Sequence, residues 1–167
     1  MSYSGYLDEL CSGLEGGGAF LVVEDKSGRV NIMTIGWAQA GFVWGMPVMT
    51  VFVRPSRHTH QLLGKASHFS VCVPAAGSRT KELAFCGSRS GRDYDKARAC
   101  SLPLSEGVKK DIKYVQGPGL VYQCELLGGS ELAAGTLPEA VRASYYAAGD
   151  VHTMYFGKIV RADKFTN

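Results

Sequence analysis

The sequence predicts a mainly β protein, an antiparallel barrel with short helices at its periphery. Three observations carry that expectation. Short runs of strand-forming residues recur at close spacing along most of the chain. They are joined by glycine-containing turns, and the 21 glycines are the outlier of the composition. The helical signals, by contrast, are brief and scattered. Short strands at close spacing with turn signals between them are the pattern of a sandwich or barrel.

Each element can be justified in order. Tyr3 to Leu14 is predicted as a short helix, with Tyr6, Leu7, Leu10 and Leu14 on one side, ended by Gly16-Gly17-Gly18. That glycine run precedes a strand and lacks the GxGxxG spacing, so it is not a dinucleotide fingerprint. Ala19 to Glu24 is predicted as a strand, Lys26 to Arg29 as a turn and Val30 to Ala38 as a second strand in a hairpin with the first. A segment around Gly41 to Trp44 leads to a strand over Val48 to Val53. Ser56 then stands at a helix N-cap position, and Arg57 to Lys65 is predicted as a short helix. His68 to Pro74 alternates as a strand does, and Ser78 caps a predicted helix through Lys81 to Phe85. Cys86 to Ala97, read CGSRSGRDYDKA, is polar, glycine-punctuated and poor in regular signal, as site-bearing loops are. Lys109 to Val115 and Gly119 to Leu127 are predicted strands, Pro138 to Tyr146 a short helix, and Val151 to Val160 the last strand. No repeat, linker or low-complexity segment divides the 167 residues, and one domain over 1–167 is expected.

Composition narrows the function. A net charge of +3, with the basic residues scattered, argues against nucleic acid as partner. Gly, Pro and Arg interrupt every apolar run before membrane-spanning length, so no membrane partner is expected. Asp8 and Glu9 lie where a signal peptide would carry positive charge. The five cysteines are odd in number and lack CxxC spacing, which suggests neither a disulfide framework nor a zinc site, and points to a reducing, cytoplasmic compartment. His58, His60 and His68 cluster without metal-ligand spacing or a neighbouring carboxylate, so no metal is expected. No GxSxG elbow or cysteine with an evident base suggests nucleophilic catalysis.

The chemistry concentrates at Val51 to Leu63, read VFVRPSRHTHQLL. A strand that empties into a helix N-terminus presents unpaired N–H groups to an anion. Arg54 and Arg57 flank that junction, and Ser56 and Thr59 add hydroxyls. Arginine offers a planar fork of donors matched to phosphate oxygens. A capped surface helix with solvated arginines is the plainer reading. Asn31 and Thr34 are polar residues within an apolar strand. They need backbone, water or ligand partners; Asn31 closing the preceding turn and Thr34 facing solvent is the plain alternative. His152, just after Gly149-Asp150, opens the last strand either as a structural tie or as a group at a site.

Taken together, NIMTIGW from Asn31, PVMTVFVRPSRHTHQLL from Pro47, FSVCVP from Phe69, CGSRSGRDYDKA from Cys86 and GDVHTMYFGKIV from Gly149 resemble, in order, the flavin reductase-like FMN-binding split-barrel family, close to its flavoredoxin branch. The resemblance runs from about Gly18 to Val160. It implies a six-stranded antiparallel Greek-key split barrel with peripheral helices, a homodimer and one FMN per subunit. It further implies FMN phosphate at Arg54, Ser56, Arg57 and Thr59. The isoalloxazine ring would meet Asn31, Met33 and Thr34 and the loop of Cys86, Gly87, Ser88, Ser90 and Gly91. Gly36 stands where the family often has Ser, removing a hydroxyl contact; Trp37 either stacks near the flavin or packs in the barrel. The activity implied is hydride transfer from NADH or NADPH to FMN, with His152 near the docked nicotinamide and able to carry charge near neutral pH. The alternative is an FMN electron-transfer protein serving a redox partner protein. A third reading is a split barrel holding another phosphorylated ring or haem. No Rossmann motif is present, so the nicotinamide would dock transiently.

Overall fold

A computed structural model of the chain describes residues 3–166. A 3-10 turn at Tyr3–Tyr6 runs into α1 (Leu7–Gly16). Then follow β1 (Ala19–Glu24), β2 (Val30–Ile35), β3 (Ala38–Val43), β4 (Met46–Val53), α2 (His58–Leu63), β5 (His68–Pro74), α3 (Thr80–Ser88), α4 (Lys96–Ala99), β6 (Leu104–Glu106), β7 (Lys113–Val115), β8 (Gly119–Glu131), α5 (Glu139–Tyr145) and β9 (Thr153–Phe165). The main sheet has the order β2-β1-β5-β8-β9-β4-β3, antiparallel at every neighbour, and β6 and β7 form a separate ribbon.

The main sheet thus has seven strands where six were expected. The run Val30 to Ala38 is cut at Gly36-Trp37, where the chain bends out of the sheet. The two outermost strands in the order, β2 and β3, are joined by these two residues, which leaves the barrel split there. The β1–β2 hairpin holds the expected pairing, from Ala19 opposite Ile35 to Glu24 opposite Val30.

Burial explains the strand sequences. Leu21, Met33, Val51, Val71, Tyr122 and Ile159, drawn from six strands, belong to one buried cluster inside the curl of the sheet. Residues of opposite parity, including Phe20, Val22, Ile32, Cys72 and Val121, form a second cluster with Leu83 and Cys86 of α3. Both faces of β1 are therefore covered, and AFLVVE shows no polar alternation. Each buried Leu, Val or Phe contributes about 1.5–3 kcal/mol relative to exposure. β9 crosses the barrel through Gly157, where an added Cβ would lie 2.5 Å from the Phe69 ring. Bulges between Gln123 and Cys124 and between Leu126 and Gly128 let β8 and β9 pair over 13 residues each, longer than the sequence indicated.

Several boundaries differ for local reasons. α2 spans only six residues, and Arg57, not Ser56, occupies its N-cap position. Ser78 closes a turn onto the Ala75 carbonyl (2.6 Å), while Arg79 precedes α3 with φ 57°. α3 runs on through Cys86, Gly87 and Ser88, so these three are helical rather than part of a loop. Within the stretch expected to be irregular, α4 forms with the Asp95 carboxylate accepting from the Arg98 N–H at 3.1 Å. Lys109–Ile112 is a turn, leaving only Lys113–Val115 as strand, paired with the unanticipated β6. No helix among the described residues is long and apolar enough to cross a membrane. The five cysteines are free thiols.

Candidate functional site

The segment leaving β4 is folded by the far end of the chain. Arg54 donates to the carbonyls of Asp150 (2.8 Å) and Tyr145 (2.9 Å), and its guanidinium lies 5.4 Å from the Tyr146 ring centre. The Asp150 carboxylate accepts from the Ser56 N–H (3.0 Å) and hydroxyl (2.6 Å). Burial works to raise the Asp150 pKa, but these hydrogen bonds and the Arg54 charge hold it below the usual carboxylate range. The Arg57 N–H closes a turn onto the Arg54 carbonyl at 3.0 Å. With that N–H spent and α2 so short, the charge of this junction comes from side chains more than from the helix dipole.

Arg57 turns the other way. It donates to the Gly87 carbonyl at 2.7 Å and borders a cavity of about 200 Å³. Arg57, Arg89, Arg92 and Lys96 line this cavity together with the hydroxyl residues Ser56, Thr59, Ser88 and Ser90, and no carboxylate lines it. Lys96 is only 4 % exposed and donates to the Cys86 carbonyl at 2.8 Å. Burial, reinforced by the Arg57 charge, lowers its pKa to about 8. Burial also lowers the pKa of His58, with the nearby Arg92 charge adding to it. His58 lines the same cavity, and the neighbouring Gln61 side chain works against that lowering.

The expected polar strand residues have partners. The Asn31 amide donates to the Thr59 hydroxyl at 2.8 Å, and Thr34 donates to the Leu83 carbonyl at 2.6 Å. Asn31 thus reaches across to α2 and does not close the preceding turn. Gly91 packs so closely on Asn31 that a Cβ there would lie 1.8 Å from the amide oxygen, and its carbonyl accepts from Arg29.

A second cavity of about 220 Å³ adjoins the first, and Met33 and Arg57 line both. Thr34, Ile35, Gly36, Trp37, Phe52, Arg54 and His152 complete it. Trp37 is 38 % exposed and its ring centre lies 4.6 Å from that of His152, so it packs at this groove rather than in the barrel core. His152 is 9 % exposed and its Nδ1 lies 3.0 Å from the Tyr146 hydroxyl. Burial, and secondarily the Arg54 charge, pushes its pKa down to about 4. The imidazole is therefore neutral near pH 7, against the expectation that it would carry charge there.

The two adjoining cavities bring together Met33, Ser56, Arg57, Thr59, Ser88, Ser90 and Gly91 at one end and Thr34 and His152 at the other. Arg54 falls in the second cavity, not the cationic one. Cys86 is fully buried and Gly87 faces Thr34, and neither lines either cavity, against expectation; their carbonyls accept from Lys96 and Arg57, which do. Sequence reasoning passed over His58, Arg89, Arg92 and Lys96. The last three lie within the quoted CGSRSGRDYDKA stretch, but nothing local showed that Lys96 would be buried. A larger cavity of about 630 Å³ lies on the far side of Thr34 and Gly87. It has no Lys, Arg or His in its lining, and Asp8 and Glu9 at its edge oppose an anion. Among the described residues no three His, Cys, Asp or Glu side chains converge as a metal site.

The family model described as "Flavin reductase like domain" matches residues 13–166. Comparison with curated proteins finds no match. Among solved structures, the FMN-binding protein of Thermus thermophilus with bound 1-cyclohex-2-enone shares 27% identity at TM-score 0.69, over 89% of this chain and 70% of that one. Flavoredoxin of Methanosarcina acetivorans shares 21% identity at TM-score 0.70, over 89% and 68%. The NADH:FAD oxidoreductase of Streptomyces globisporus, in complex with NAD and FAD fragments, shares 18% identity at TM-score 0.65, over 90% and 75%.

Proposed function

The chain belongs to the flavin reductase like domain family, and on that footing we propose that it is a single-domain FMN-binding oxidoreductase in which NADH or NADPH reduces the flavin. One observation carries the reading: a cationic, hydroxyl-lined cavity without carboxylates adjoins a second one walled by Met33, Trp37, Phe52 and His152. The first suits a phosphate dianion and the second a heteroaromatic ring.

In this assignment Arg57, Lys96, Arg89 and Arg92 supply charge to the phosphate, and Ser56, Thr59, Ser88, Ser90 and the Gly91 backbone supply close polar contact. Asn31 orients Thr59, and the Cys86 and Gly87 carbonyls hold Lys96 and Arg57. Met33 and Thr34 border the ring, with Trp37 beside His152. Arg54 is not assigned to phosphate; it clamps the segment that carries His152. FMN, when bound, supplies hydride acceptance, and the protein supplies binding, orientation and electrostatics.

A homodimer is part of the proposal. Phe42, Val43 and Trp44 are exposed at the end of β3, whose outer edge has no neighbouring strand. Such an edge invites cover. Sedimentation of the FMN-loaded protein as a monomer at micromolar concentration would remove this part. A cytoplasmic location accords with five free thiols.

The test of the activity is anaerobic mixing of the FMN-loaded protein with NADH and with NADPH. Rapid bleaching of the flavin by either supports the reductase reading. Bound flavin that neither reduces would move the protein to the electron carriers, whose redox partner protein does the hydride chemistry.

A further inference from the structure

A set of hydrogen bonds beyond the end of α5 fixes the segment that carries Tyr146. Arg54 holds the carbonyls of Tyr145 and Asp150, and Asp150 is held in turn by Ser56. Gly149 and Asp150 take left-handed backbone angles, φ 78° and 54°, to make the turn between them and β9. Tyr146 lies inside this clamp, only 9 % exposed, with its hydroxyl 3.0 Å from His152 Nδ1.

We infer that Tyr146 is a positioning residue: its hydroxyl donates to His152 Nδ1 and so fixes the imidazole as the tautomer whose Nε2–H donates into the ring groove. The acceptor would be a carbonyl or ring nitrogen of the heteroaromatic ligand bound there. The inference rests on the reading of the groove as a flavin site.

The direction of the hydrogen bond follows from partners. Among the described residues, His152 Nδ1 is the one hydrogen-bond partner of the Tyr146 hydroxyl. Were Nδ1 to donate, the phenol proton would be left without an acceptor in a buried place, a penalty of about 1–3 kcal/mol. With the phenol donating, both groups are satisfied and the ring proton resides on Nε2.

The ring is also kept from turning. Trp37 lies 4.6 Å from it on a tilted plane, Phe52 lies edge-on at 6.4 Å, and the Tyr146 ring is edge-on at 5.7 Å. The charged groups that face it are Arg54, which disfavours imidazolium, and Asp150, which favours it more weakly. The outcome is a neutral, oriented donor beside a fixed positive charge. That pairing suits an acceptor on which negative charge grows during reduction, because neither group must change protonation to meet it.

The test uses the full chain and the variant Tyr146→Phe, which keeps the ring and removes the hydroxyl. Nitrogen-15 NMR of the imidazoles, in protein without added flavin, reads the tautomer directly. The parent should show His152 as a single Nε2–H form and the variant a mixture of both forms. In the FMN-loaded protein, single-turnover flavin reduction should slow about three- to tenfold, the worth of one neutral hydrogen bond. FMN affinity should stay within about twofold, since Tyr146 touches neither cavity. An Nδ1–H tautomer in the parent overturns the inference, as does a Tyr146→Phe protein that keeps the single Nε2–H form. If the tautomer shifts as stated but His152→Ala reduces flavin at the parent rate, the inference about Tyr146 stands and the placing of His152 at the reacting groove falls.

Discussion

Lys96→Met is the perturbation whose two consequences run in opposite directions. Lys96 holds a charge where only 4 % of its surface is exposed, and burial has brought its pKa from 10.5 to about 8. Keeping the proton on at pH 7 therefore costs the fold roughly 3 kcal/mol. Methionine fills much of the same volume without that cost. It forfeits the charge-assisted bond to the Cys86 carbonyl, worth about 1.5–3 kcal/mol. The unliganded variant should melt at or slightly above the parent. Its hold on FMN should weaken, because a charge-assisted hydrogen bond to phosphate is worth about 1.5–3 kcal/mol, or roughly 10- to 150-fold in Kd. The assay is equilibrium dialysis of FMN from pH 7 to pH 9.5, with melting curves beside it. In the parent, Lys96 loses its proton as pH rises through about 8, so FMN affinity should fall across that range. The variant has no such proton to lose and should be flat. Parent-like affinity in Lys96→Met, or an unchanged pH profile, would refute the assignment of Lys96 to the phosphate.

Three further outcomes are expected. Arg57→Ala should weaken FMN about 10- to 100-fold, whereas Arg54→Ala should chiefly lower the melting temperature by freeing the 145–150 segment; dialysis and calorimetry on both variants separate the two arginines. Gly91→Ala would drive its Cβ against the Asn31 amide oxygen, so it should cost about 1–3 kcal/mol of stability and distort the cationic cavity; a parent-like melt and FMN affinity would contradict the close approach. The folded-state pKa of His152 is depressed from 6.5 to about 4, so between those values the unfolded chain binds the proton first. Stability should therefore fall as pH drops from 6.5 to 4, and His152→Asn should flatten that part of a melting-versus-pH curve.

The hairpin of β1 and β2 was legible because both its strands and its turn are local: AFLVVE, then Lys26 to Arg29, then VNIMTI. The closing strand was legible for the same reason, although it starts at Thr153, just after His152, rather than at Val151. Local reading failed where a distant residue intervened. Ser56 looked like a helix cap, but Asp150, 94 positions away, takes both its N–H and its hydroxyl. Arg54 and Arg57 are three apart and looked equivalent; the one is captured by carbonyls of the 145–150 segment and the other by Gly87 on α3. Gly87 argued for a loop by propensity, yet it lies in α3, where a Cβ would be 3.4 Å from Thr34 on β2. Lys96 reads as one more surface lysine until α4 folds over Cys86. The cationic cavity is assembled from three separate stretches, and charge counted along the chain did not reveal it.

The central claim is that this groove grips a flavin by its phosphate, and riboflavin, which lacks that group, tests it most directly. Equilibrium dialysis of the unliganded protein at neutral pH should give FMN a Kd at least about 100-fold lower than that of riboflavin, the worth of two charge-assisted hydrogen bonds. Raising the salt concentration should narrow the gap. Equal affinities for the two flavins would contradict the account.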